Sequence, residues 1–239
     1  MENSIYLGLS KQVALKTNMD IVANNIANMN TSGFRGQNTL FEEYISDPRY
    51  GDDDLSFVYD YGQYQLTDSG PVERTSNPLH VALNGPGFMA VERPDGTTGY
   101  TRDGTFQKHA DGTLVTSAGY PVLGQGGPIV VPESATEIII DETGIISDQG
   151  GPIGTLQIVE FDNVQELRAS GNNLYVTEGA FRPAEETQVR QGFLEGSNVN
   201  SVVEMTRMIE IMRDFQSTSR MLENEHERLR GAIQKLTET

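Results

Sequence analysis

His80, His109 and His226 are the side chains best suited to move protons near neutral pH, and the sequence scatters them. None sits in an H-E-x-x-H run, so a helical zinc pair is not encoded. No G-x-S-x-G, G-x-x-x-x-G-K-S/T or post-strand G-x-G-x-x-G marks a nucleophile or a phosphate cradle. Gly85-Pro86-Gly87 is rich in glycine, but its proline lacks the N–H a phosphate would need, and it reads as a turn. The absence of cysteine removes thiol nucleophiles, disulfides and zinc–thiolate sites. Asp52-Asp53-Asp54 invites a calcium reading, yet the alternating ligands and closing glutamate of a calcium loop are missing, which favours a solvated acidic loop. With 34 acids against 17 bases, carboxylate pairs are too common for any one to be informative. The residue types therefore predict neither an enzyme nor a cofactor.

What the sequence does encode is a long apolar stripe at each end. Ile5, Gly8, Gln12, Leu15, Met19, Val22, Ile26 and Met29 recur at alternating spacings of three and four. Met208, Ile211, Phe215, Thr218, Leu222, Glu225, Leu229, Ala232 and Leu236 repeat the pattern, preceded by Val202, Met205, Ile209 and Met212. That is the period of helices packing along a shared seam. The first helix is expected from a cap at Asn3 or Ser4 to about Asn28, and the second from a cap at Ser197 or Asn198 to about Leu236. Asn24, Asn25, Asn28 and Asn30 crowd the end of the first helix, where asparagine tolerates the left-handed conformation and Gly33, ahead of Phe34, can close the turn. Their amides are also candidates to bond across to a partner helix.

Between the stripes, short apolar runs alternate with turn signals. Leu79–Leu83 and Phe88–Val91 flank the Asn84–Gly87 turn, and Pro94-Asp95-Gly96, Asp103-Gly104 and Asp111-Gly112 mark three further reversals. No crossover helix follows any of these strands, so the sheets are expected to be mainly antiparallel. The fold class is α+β: terminal helices forming a coiled-coil-like core, with a central domain of many short strands. The expected division is 1–35 and 191–239 as paired helical segments, 36–76 as a linker or extended region, and 77–190 as the β-domain.

Charge follows the same division. The formal net charge is −17, but residues 1–34 are neutral and 197–239 contribute −1, so the middle carries nearly all of it. Such a balance argues against nucleic acid and anionic membrane surfaces as partners. No apolar run approaches the ~20 residues needed to span a bilayer, and no basic start, apolar run and small-residue cleavage site forms a secretory signal.

Several stretches resemble one family. Ala23-Asn24-Asn25-Ile26-Ala27-Asn28-Met29-Asn30-Thr31-Ser32-Gly33-Phe34 is similar to the A-N-N-L/I-A-N-x-N-T-x-G-F/Y signature of bacterial flagellar axial proteins, the rod and hook family. The resemblance continues through Asn77–Phe88, Tyr100–Phe106, Asp111–Thr116 and Gln191–Asn200, with Glu204-Met205 beyond. His80 stands where the family usually has aspartate, and Gly196 where a bulkier residue is common. Length excludes the hook protein. The opening Ile5–Ser10 and the ending Arg213–Leu236 look like a proximal-rod subunit rather than a distal-rod one.

The resemblance implies a structural subunit exported unfolded by the flagellar type III apparatus without signal cleavage. It implies polymerisation with copies of itself and with proximal and distal rod proteins, in the periplasmic space, into the shaft that carries torque from motor to hook. The expected assembly seam is Ile5, Leu15, Met19, Val22, Ile26, Met29, Val202, Met205, Met208, Ile209, Met212, Phe215, Leu222, Leu229 and Leu236. The asparagines at 24, 25, 28 and 30, with Gly33, Phe34, Ser197 and Asn198, are expected at the junction of core and outer domain. The competing class is a soluble binding module or chaperone that grips a partner with a helical pair.

Overall fold

The structure is a computed structural model that describes residues 2–46, 55–135 and 137–237. The Asp52–Asp54 run lies outside the described residues. The chain divides into two compact units: Met1–Ala27, Gln37–Leu66 and Asn200–Thr239 form the helical unit, and Asn28–Gly36 with Thr67–Val199 form the β unit.

In the helical unit α1 spans Glu2–Ala27 and α2 spans Ser201–Thr237. Asn3 and Ser4 therefore lie inside the first turn of α1 rather than ahead of it. The two helices run antiparallel: a Cβ added to Gly8 would come within 2.6 Å of a Leu222 methyl, Gln12 Nε2 donates to Ser219 Oγ at 2.8 Å, and Asn25 Nδ2 donates to Glu204 at 3.2 Å. Gly8 is what lets the backbones approach so closely at that end. The cap of α2 is Asn200, not Ser197 or Asn198. Its Oδ1 accepts from the Val202 and Val203 amides at 3.1 and 3.2 Å, satisfying donors the helix itself cannot.

Of the residues expected as a linker, 37–46 and 55–65 form a long antiparallel hairpin pair, β1 (Gln37–Ser46) and β2 (Leu55–Gln65), with a bulge where Leu40 gives way to Phe41. The bulge breaks the two-residue alternation, which is why the sequence there shows no clean strand period. Asn18 and Asn25 of α1 bond to Thr39 and Gln37 of β1. Ala14 and Ile21, a turn away on the same side of α1, are buried with them.

The β unit holds β3 (Val72–Arg74), β4 (Val81–Asn84), β5 (Phe88–Glu92), β6 (Thr98–Thr101) and further short strands, every ladder antiparallel among the described residues. Its largest sheet has six strands, in the order 168–169, 175–176, β6, β5, 158–160, 182–183. β5 explains the core. Its successive side chains point to opposite faces, so Met89 joins Val81, Phe106, Leu114, Val122 and Ile146 on one side. Phe88 and Ala90 join Tyr100, Val159, Phe161 and Tyr175 on the other. A strand covered on both faces reads as an unbroken apolar run. The aromatics of the second cluster meet edge to face, Tyr100 and Phe161 with centroids 4.9 Å apart.

The Asp-Gly pairs behave in two ways. At Asp95 and Asp111 the carboxylate accepts from the amide two residues on, at 3.0 and 2.9 Å, and closes a turn. Asp103-Gly104 is not a reversal. Its carboxylate also accepts from the amide two residues on, Thr105 at 3.0 Å, but the strands on either side belong to different sheets, and Gly104 is pressed against the Val81 backbone so closely that no side chain fits. Asp141 caps a further turn, accepting from the Thr143 and Ile145 amides, both at 2.9 Å.

Hydrogen bonds from Thr97 to Asp95, Thr113 to Asp111 and Thr143 to Asp141 hold these three carboxyls below the ordinary aspartate value. A depressed folded-state pKa contributes stability above the unfolded value, about 3.9, that is lost as pH falls through the folded one. The urea midpoint of the β unit is therefore expected to drop on acidification from pH 5 to below 4. Changing all three aspartates to asparagine should flatten that dependence in a urea series followed by hydrogen exchange of the Ala90 and Val122 amides, which are bonded within the β unit.

Candidate functional site

α2 carries two apolar faces. One turns toward α1 and holds Glu204, Met208, Ile211, Phe215, Thr218 and Leu222, with Ile211 and Thr218 buried and Met208, Phe215 and Leu222 half-buried. The other lies roughly 130° round the helix at 100° per residue. It holds Val202, Met205, Ile209 and Met212, exposed at 72%, 46%, 51% and 45%. α1 is similar. Val22 is buried, and Ile5, Leu15, Met19 and Ile26 are half-buried. On its outer side Tyr6, Leu9 and Val13, at the i, i+3, i+7 spacing of one helix face, are 60%, 52% and 57% exposed.

The expected seam thus falls into two sets that the heptad pattern merged. One set holds the helices of a single chain together, and the other, with Tyr6, Leu9 and Val13 added, faces outward. Leu229 is half-buried on α2. Met29 falls beyond α1, in the Asn28–Gly36 segment of the β unit. The Leu236 side chain lies outside the described residues.

The junction residues are also sorted by the structure. Asn25 is buried at 1% exposure. Its Oδ1 accepts from the Gln37 amide at 3.0 Å, and its Nδ2 donates to the Gln37 carbonyl at 2.8 Å as well as to Glu204. One side chain thereby fastens the start of β1 and the first turn of α2 to the end of α1. Asn28 accepts from the Thr31 amide and hydroxyl, whereas Asn24 and Asn30 are exposed.

Gly33, at φ +66°, lies against the Arg102 and Asp103 backbone, where a side chain would overlap it. Asn198 accepts from the Gly36 amide at 2.7 Å, donates to the Asp68 carbonyl at 2.8 Å, and gives its own amide to the half-buried Phe34's carbonyl at 3.3 Å. Ser197 accepts from the Val199 amide at 3.2 Å.

Three models of flagellar proteins match the chain: flagella basal body rod protein over 5–35, the flagellar hook protein FlgE/F/G D1 domain over 82–148, and the flagellar basal body rod FlgEFG protein C-terminal region over 190–235. A flagellar basal-body rod protein FlgF of Caulobacter vibrioides is 37% identical over 99% of this chain and 98% of its own. FlgF of Rhizobium meliloti is 33% identical with the same coverage. FlgG of Bacillus subtilis is 33% identical over 98% of each chain. The chain belongs to the flagellar basal-body rod family.

It is a structural protein of that family, not an enzyme. Among the described residues no cluster of three potential metal ligands occurs, and no helix is long and apolar enough to cross a membrane.

The rod-family motifs also contain a buried ionic cluster that motif reading passed over. Glu195 is 1% exposed at its side chain and lies 2.8 Å from Arg102 Nε and 3.4 Å from Arg35 Nη2. Arg102, also fully buried, donates to the carbonyls of Leu83, Gly85 and Gly87. Arg35 donates to those of Thr67 and Asp68. Burial, with Arg102 beside it, pulls the Arg35 guanidinium below its ordinary value, and Glu195 opposes the shift. The available signal was a charge set inside otherwise apolar or glycine-rich motifs, Tyr-Thr-Arg102 and Gly-Phe-Leu-Glu195-Gly.

Replacing Asn25 with alanine leaves the Gln37 amide and Glu204 short of a buried partner, a loss of roughly 1–3 kcal/mol. The urea midpoint of the far-ultraviolet helix signal is expected to fall, while the Ala90 and Val122 amides, bonded within the β unit, keep their hydrogen-exchange rates.

Proposed function

We propose that this chain builds the proximal part of the flagellar rod, polymerising with copies of itself and with other rod subunits through the outward faces of α1 and α2. The observation that carries this is the apolar surface left open on both helices. In the helical unit the described fully buried apolar residues are Ala14, Ile21, Val22 and Ile211. Burial of a large apolar side chain contributes roughly 1.5–3 kcal/mol, a gain that the exposed Tyr6, Leu9, Val13, Val202, Met205, Ile209 and Met212 forgo in the isolated chain. The missing burial is present on the surface, as the outward stripes of both helices. Neutral ends allow copies to approach, and the acidic β unit keeps the product solvated.

The proximal position rests on the resemblance of both ends and on alignment length. The chain aligns with the Caulobacter FlgF over 242 positions, but with the Bacillus FlgG over 264. The FlgG relatives keep the distal-rod reading as the alternative. The proposal includes unfolded export by the flagellar type III apparatus with an uncleaved N-terminus, residence in the periplasmic space, and torque transmission without cofactor, nucleic acid or membrane insertion.

Ile209→Asp and Met205→Asp place a charge on surface that a neighbour would bury unpaired. Both variants are expected to keep the monomer's thermal midpoint and circular dichroism yet to form no rods in cells that lack the native protein. Normal rods from both would refute the outward face as the polymer contact. A single cysteine at Val202, clean because the native chain has none, should cross-link to neighbouring rod subunits and so identify the position along the shaft.

A further inference from the structure

The chain passes between its two units after residues 27, 36, 66 and 199, and the last three of these passages begin at one place inside the β unit. Arg35 stands next to the second, its guanidinium on the Thr67 and Asp68 carbonyls just inside the third. Asn198 stands just before the fourth. Its Oδ1 takes the Gly36 amide at 2.7 Å and its Nδ2 reaches the Asp68 carbonyl at 2.8 Å, so it holds the other two passages directly.

Glu195 backs Arg35, which meets Asn198 at the Asp68 carbonyl that both side chains bond. One carboxylate oxygen accepts from Arg35 at 3.4 Å and from the Gly70 amide at 3.2 Å, the other from Arg102 at 2.8 Å, and its backbone carbonyl takes the Gly33 amide at 2.8 Å. Two arginines and one glutamate, all buried, are not a cheap way to stabilise a fold. An apolar replacement of the same volume is often neutral or better. What this cluster supplies is shared partners: each of the three passages depends on side chains that also hold the others.

We propose that Asn198, Arg35 and Glu195 form one clamp that makes the three passages open and close as a single cooperative unit, rather than as three independent tethers. In a rod subunit, force entering through the helices would then be divided among three stretches of chain. That use rests on the rod reading above. The coupling does not, and it is tested on the unassembled full-length chain, so failure of one leaves the other standing.

The test is hydrogen exchange at the Gly33, Gly36 and Gly70 amides. In Asn198→Ala, Gly36 loses its acceptor directly, but Gly33 and Gly70 keep theirs on Glu195. The clamp requires all three to exchange faster by a common factor, roughly 10- to 100-fold for two lost bonds. Ala90 and Val122, bonded within the β unit's core, should keep their native rates. Acceleration at Gly36 alone would show independent tethers. Equal acceleration at Ala90 and Val122 would show general loosening of the unit, and either result overturns the proposal. Glu195→Gln, which keeps shape and removes charge, should accelerate the same three amides. Native rates there would also overturn it, and if that variant does not fold, Asn198→Ala decides alone.

Discussion

The packing of α1 along α2 constrains everything else in the helical unit, because it joins the two ends of the chain and leaves each helix with a second apolar face unmet. A globular domain solves the same problem by adding layers until each stripe is covered. Here the β1–β2 hairpin covers one flank of α1, and among the described residues the outer stripe of α2 stays exposed. The apolar residues that would complete a core are present in number but turned outward, at Tyr6, Leu9, Val13, Val202, Met205, Ile209 and Met212. The β unit differs in kind. Its β5 strand is covered on both sides by closed apolar clusters, so that unit carries its own stability.

The contrast explains what could be read from the amino-acid order. Helical period, Asp-Gly turns and the lack of crossover helices are local signals, and the α+β architecture follows from them. The two faces of α2 were not separable by period alone. Met208 and Ile209 are adjacent in sequence, and a spacing of three and four fits either stripe until a neighbour is in place to choose between them. The hairpin was obscured by its bulge. The cap of α2 was misplaced because Ser197, Asn198 and Asn200 are all good caps; only the geometry shows that Ser197 and Asn198 bond elsewhere.

The buried charges were the least legible feature. Arg35, Arg102 and Glu195 come from regions separated by up to 160 residues, and no local rule pairs them. A charged side chain is nearly always exposed unless paired, so its sequence neighbourhood alone gives little reason to place it inside. Of the four asparagines crowding the end of α1, Asn25 bonds across to α2, at Glu204.

The antiparallel pairing of α1 with α2 also sets a schedule. Gly8 waits for Leu222 and Asn25 for Glu204, so a chain appearing N-terminus first displays α1 long before its complement exists. The intervening strands, whose partners are closer in sequence, can settle in that interval, since nearer contacts form sooner. Closure of the two ends is then the last event, and the outward stripes become a rigid template only once the molecule has emerged almost in full.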